Sequence, residues 1–129
     1  MNKKTIAITV VVLLALLTGC RTAPVYEVID APVTVTSRNV SYNDMRTAII
    51  RAGQALDWRM EPQGRGLIVG TLNAREHVAK VDIRYTPESY SILYRDSANL
   101  DYDGSSIHSR YNSWIERLDR AIQAQLVTM

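Results

Sequence analysis

EHVAKVDIRY, Glu76 to Tyr85, is the stretch whose reading decides the fold. In an extended chain His77, Ala79, Val81, Ile83 and Tyr85 share one side, while Glu76, Val78, Lys80, Asp82 and Arg84 share the other. A period of two with one apolar side predicts a strand buried on one face and wet on the other, which belongs to an antiparallel sheet.

The flanks repeat the signal. Before it, Gly66 to Leu72 reads as a strand, with Asn73-Ala74 as a hairpin loop. After it, Thr86-Pro87-Glu88 makes a turn, and SYSILYRD returns with Tyr90, Ile92 and Tyr94 on one face. EPQGRG, Glu61 to Gly66, is a turn, and PVTVT, Pro32 to Thr36, alternates β-branched residues as a first strand.

Two segments carry the other period. Met45, Ala48, Ile49, Ala52 and Leu56 recur at helical spacing behind Ser41, whose hydroxyl suits an N-cap with Asp44 in the first turn. Tyr111, Trp114, Ile115, Leu118, Ile122 and Leu126 make a second stripe near the C-terminus. The expected order is β-α-β-β-β-α. Two amphipathic helices and a half-wet sheet predict an α+β two-layer sandwich, mainly antiparallel, with both helices on one sheet face.

The N-terminus is of a different kind. Lys3 and Lys4 precede an apolar run from Ile6 to Leu17, a length that fits a secretory signal and is short for a membrane span. It ends in Leu17-Thr18-Gly19-Cys20, which resembles the lipobox of bacterial lipoproteins: an aliphatic residue, two small ones, then Cys. The resemblance implies cleavage before Cys20 and lipid on its sulfur, so that the only cysteine is an anchor. Arg21, where Asp would signal inner-membrane retention, implies the periplasmic face of the outer membrane. The expected divisions are a signal peptide over 1–19, a lipidated Cys and extended tether over 20–31, and one domain over 32–129.

Removing Lys3 and Lys4 brings the 15 basic residues level with the 13 acidic ones. The mature domain is then neutral, and nothing in its charge points to nucleic acid. The expected partners are the membrane, through the lipid, and an envelope protein or the cell wall. No cofactor is expected beyond the covalent lipid on Cys20.

No catalytic signature stands out: HExxH, GxSxG, paired cysteines and a phosphate-binding glycine loop are all missing from the sequence. The chain is therefore not expected to be an enzyme. NLDYDG, Asn99 to Gly104, begins like an EF-hand loop, but its twelfth position is Arg110 where a bidentate carboxylate is required. A polar connector is the expectation there, with no metal. Tyrosines at 90, 94 and 111 and Trp114 lie on faces assigned to the core.

REHVAKVDIRY, YSILYRDSANLDYDG, IHSRYN and YNSWIERLD occur in that order, and together they resemble a family of small lipoproteins of Gram-negative bacteria. The resemblance spans about Val40 to Gln123. It implies marked polar positions at Arg75, His77, Asp96, Ser97, Asn99, Tyr102, His108, Tyr111 and Asn112, and it implies no activity. These residues are expected to gather at one end of the sheet. They would serve either as a hydrogen-bonded clamp on the last helix or as a ligand or hydrolytic site built from Arg75, His77, Asp96, Asn99 and His108.

Overall fold

A computed structural model describes residues 21–34 and 39–129. Cys20 and the signal-like segment lie outside the described residues. The elements run β1 (Thr22–Pro24), β2 (Val28–Pro32), α1 (Tyr42–Ala55), β3 (Arg59–Pro62), β4 (Leu67–Ala74), β5 (His77–Tyr85), β6 (Ser89–Ala98), β7 (Ser106–His108) and α2 (Ser109–Val127). β2, β6, β5, β4 and β3, in that order, form an antiparallel sheet, and β1 pairs antiparallel with β7 in a small second one.

The alternation in β5 does what its period requires. Ala79, Val81, Ile83 and Tyr85 are buried, whereas Arg84 is exposed and Lys80 and Asp82 are partly so. Register carries this face across the sheet: Ile68, Gly70 and Leu72 of β4 lie opposite Ile83, Val81 and Ala79, and Ile92 and Tyr90 of β6 lie opposite Ile83 and Tyr85. The buried stripes of both helices complete one core with these residues. The fold is an α+β sandwich, as its two periods imply.

α1 starts where its capping chemistry places it. Ser41 Oγ accepts from Asp44 N and Asp44 Oδ2 accepts from Ser41 N, each at 3.0 Å, a reciprocal capping box. On the outer face of the sheet, Arg95 is the extra residue of a bulge in β6 and reaches Asp82 Oδ1 at 2.7 Å.

Four expectations need correction. The strand expected over Pro32–Thr36 lies earlier, as β2 at Val28–Pro32, and β1 precedes it; Val35 and Thr36 lie outside the described residues. The β4–β5 loop is Arg75-Glu76, since β4 continues through Ala74, which pairs with His77. Arg59–Pro62 is an edge strand on β4 although it ends in the stretch read as a turn; Pro62 is tolerated there because an edge strand leaves one side unpaired. Finally, residues 21–31 are no free tether. They hold β1 and most of β2, because backbone groups in this Pro-containing stretch find distant partners that no local pattern announces.

Candidate functional site

β5 begins and β6 ends at the same end of the sheet, so the β4–β5 turn faces the loop that follows β6. Asn99 has φ 59°, a left-handed conformation that Asn tolerates better than most residues. There its Nδ2 donates to Glu76 O at 2.6 Å, and its own carbonyl lies 2.7 Å from His77 Nδ1. That carbonyl can only accept, so His77 carries a proton on Nδ1.

His108 has the opposite arrangement. It caps α2, its Nδ1 accepting from Arg110 N at 3.1 Å, which places its proton on Nε2 when the ring is neutral. The two imidazoles stack with centroids 6.3 Å apart, and Trp114 tilts against His77 at 6.4 Å. Neither ring is hydrogen-bonded to a carboxylate or hydroxyl among the described residues, so no nucleophile–base pair is assembled around them. His108→Ala should cost the domain about 1 kcal/mol, and His108→Asn should restore most of it. Thermal denaturation of both variants checks this.

Asn112 is the third fastening. Its Oδ1 accepts from Tyr26 N and its Nδ2 donates to Pro24 O, both at 2.9 Å, so one amide side chain grips the segment after β1. Glu27 follows, with Oε2 accepting from Tyr94 N at 3.1 Å. The expected polar cluster therefore holds more than the last helix: it ties the N-terminal segment, the β4–β5 turn, the post-β6 loop and α2 together.

The nine positions divide. His77, His108 and Asn112 belong to this fastening, and Asn99 belongs to it through its bonds, whereas Tyr111 is a fully buried core residue whose hydroxyl has no partner among the described residues. Arg75 is exposed at the turn with φ 59°. Asp96, Ser97 and Tyr102, together with Asn99, border an open concavity of about 640 Å³. Tyr102 stacks on Tyr94 at 4.1 Å between centroids, and the Tyr94 hydroxyl shares a 2.8 Å hydrogen bond with Ser97 Oγ. Asp96 Oδ1 accepts from Ser97 N at 2.9 Å. Burial raises the Tyr94 ionisation above its ordinary value, so it meets the concavity as a neutral phenol.

In the EF-hand-like loop, Asp103 folds back on its own chain. Its Oδ1 accepts from Ser105 N at 2.9 Å and Ser106 N at 2.7 Å. Among the described residues no group of three or more His, Cys, Asp or Glu side chains is placed to hold a metal ion. The Ser106 and Ser105 amides hold the Asp103 carboxyl below its usual 3.8. Since the folded value is the lower one, the turn's support is present above the ordinary carboxylate range and is lost as pH falls through the folded value. A carboxyl-carbon NMR titration should place the Asp103 midpoint below 3.8.

A second concavity lies at the far end of the sheet. Tyr42, Asn43, Arg46, Pro62, Gly64, Arg65 and Tyr85 line about 470 Å³, with the Arg65 guanidinium 4.0 Å from the centre of the Tyr42 ring. The glycine behind Arg65 is required: Gly66 has φ 84°, and a Cβ there would stand 3.0 Å from Tyr85 O. The sequence reading missed this cleft. Arg46 stands outside a helical stripe and Arg65 in a turn, and their meeting depends on the start of α1 lying beside the β3–β4 turn.

Compared with protein-family models, curated proteins and solved structures, the chain finds no match.

Proposed function

We propose that this chain is a lipid-anchored protein of the bacterial envelope, held through Cys20 at the periplasmic face of the outer membrane and acting as a binding or accessory module. The observation that carries the reading is Leu17-Thr18-Gly19-Cys20 at the end of a signal-length apolar run. Small residues before Cys20 leave the backbone open to a peptidase, and its thiolate is the nucleophile that accepts lipid. Two or three acyl chains hold a protein stably where one does not. Among the described residues no helix is long and apolar enough to cross a membrane. The partner class that suits such a module is another envelope protein or the cell wall.

The test is expression in a Gram-negative host fed an alkyne-bearing palmitate. The mature chain should take up the label, and Cys20→Ala should abolish it while leaving an uncleaved precursor. Label retained in Cys20→Ala, or a mature chain that starts elsewhere, overturns the reading.

The second reading, a small-molecule or hydrolytic site using Arg75, His77, Asp96, Asn99 and His108, is favoured by one observation: Asp96 and Asn99 open onto the 640 Å³ concavity beside Tyr94 and Tyr102. Amide shift changes at Asp96, Asn99 and Tyr102 on titration with envelope extracts, lost in Asn99→Ala, would support it over the first.

A further inference from the structure

The residue next to the one proposed to carry the lipid is already tied into the domain. Arg21 O accepts from Ser109 N at 2.9 Å, Thr22, Ala23 and Pro24 pair with His108, Ile107 and Ser106, and Val25 N donates to Ser105 O at 3.0 Å. Asn112 then closes on Pro24 and Tyr26 from the side. Consecutive Cα atoms stand about 3.8 Å apart, so Cys20 has one peptide unit of reach beyond a fixed point of the domain. A free ten-residue tether would have extended to roughly 33 Å and left the domain's orientation open.

Resting on the lipid-anchor reading, we infer that the end of the domain formed by β1, β7, the β4–β5 turn and the first turn of α2 lies against the lipid headgroups. The sheet stands away from the bilayer, with the Tyr42–Arg65 cleft at its far end. The near end carries arginines that suit that surface. Arg21, Arg75 and Arg110 are exposed and make no ion pair among the described residues. The exposed carboxylates of Glu76, Asp101 and Asp103 lie at the same end and equal the three arginines in number, so what suits the headgroups is the phosphate-binding chemistry of the guanidinium groups and not a net charge. Guanidinium groups bind phosphate through paired N–H donors, and an anionic leaflet attracts such residues at close range.

β5 fixes how far the other end stands off. It runs from His77 beside His108 to Tyr85 at the cleft, and at ~3.4 Å per residue this separates the two ends by roughly 27 Å. The cleft therefore faces the aqueous compartment rather than the lipid, within reach of whatever stands above the membrane.

The experiment uses the full lipidated chain in vesicles of phosphatidylethanolamine and phosphatidylglycerol. With Cys20 consumed by lipid, a second cysteine is a unique labelling site. Ser113→Cys, on the exposed side of the start of α2, and Gln63→Cys, in the exposed β3–β4 turn, each carry an environment-sensitive fluorophore; the quencher is a nitroxide on the lipid headgroup. The Ser113 label should be quenched several-fold and the Gln63 label left nearly unchanged. Equal quenching at both positions, or none at Ser113, in a chain whose mass includes the acyl groups overturns the orientation and leaves the anchor standing. A purified chain without acyl mass overturns the anchor, and the orientation with it.

Discussion

Trp58→Ala should cost the domain about 3–5 kcal/mol, a large share of what a chain of this size has. Trp58 is 3% exposed and follows α1, where its backbone N–H donates to Gly53 O at 2.9 Å. Its ring lies over the one position of β4 without a side chain: a Cβ on Gly70 would stand 3.3 Å from Trp58 Cε3, 3.3 Å from Met60 Sδ and 3.2 Å from Val81 Cγ2. Gly70→Val would thus force methyl groups into filled space, at about 1–3 kcal/mol. The two changes act on one volume, so they should not add. The double variant Trp58→Ala/Gly70→Val should recover at least about 1 kcal/mol of the summed loss, because the valine fills part of the cavity. Urea denaturation of all four proteins checks the cycle, and additive losses would mean that the ring and the glycine do not share this space.

Tyr111 gives the second large effect, with its sign set by the substitution. The residue is 0% exposed, meets the Tyr94 ring edge-on at 5.8 Å, and its hydroxyl has no hydrogen-bond partner among the described residues. Tyr111→Ala should cost about 3–5 kcal/mol through the cavity it leaves. Tyr111→Phe should instead stabilise by about 1 kcal/mol, because it removes a buried polar atom and keeps the packing. Burial, with Glu27 and the neighbouring Tyr94 and Tyr102 hydroxyls adding to it, holds the phenol far above its ordinary 10.0. Tyr90 is raised likewise, first by burial and then by its hydrogen bond to Asp119. The raised folded values mean that both contributions are complete below 10.0 and fall away as pH rises past it, when the unfolded chain ionises and the folded one resists. Tyr111→Phe should flatten part of that alkaline decline; an unchanged slope would remove Tyr111 as a cause.

Much of the architecture was legible because burial leaves a period in the chain. Ala79, Val81 and Ile83 can alternate with Lys80 and Asp82 only where one face is dry, and Met45, Ala48, Ile49 and Ala52 can recur at helical spacing only where one stripe is. β1 left no such trace. Thr22, Ala23 and Pro24 are read by β7 and by Asn112, 88 residues on from Pro24, so the information lies in the partner. β3 was hidden for a related reason: of its four residues only Met60 is buried, and Pro62 reads locally as a turn.

The polar positions were legible as a set but not by role. His77 and His108 look alike in the sequence. Asn99 O makes one ring a donor and Arg110 N makes the other an acceptor, and both assignments come from backbone groups placed by tertiary contact. Asp103 lies in the loop read as a polar connector, and only the structure shows that its carboxylate accepts from two amides of that loop.

By itself, then, the sequence determined the two periods, the half-wet antiparallel sheet, the helices that cover it and the lipobox-like run before Arg21. These are properties of neighbours along the chain, set by which side of an element meets water. Tertiary structure alone decided that Arg21 to Pro24 are tied into the fold, which tautomer each histidine adopts, and that Arg46, Arg65, Tyr42 and Tyr85 face one cleft. Each of these depends on backbone groups or side chains brought together from distant parts of the chain, and a hydrogen bond or a cavity wall exists only once both sides are in place.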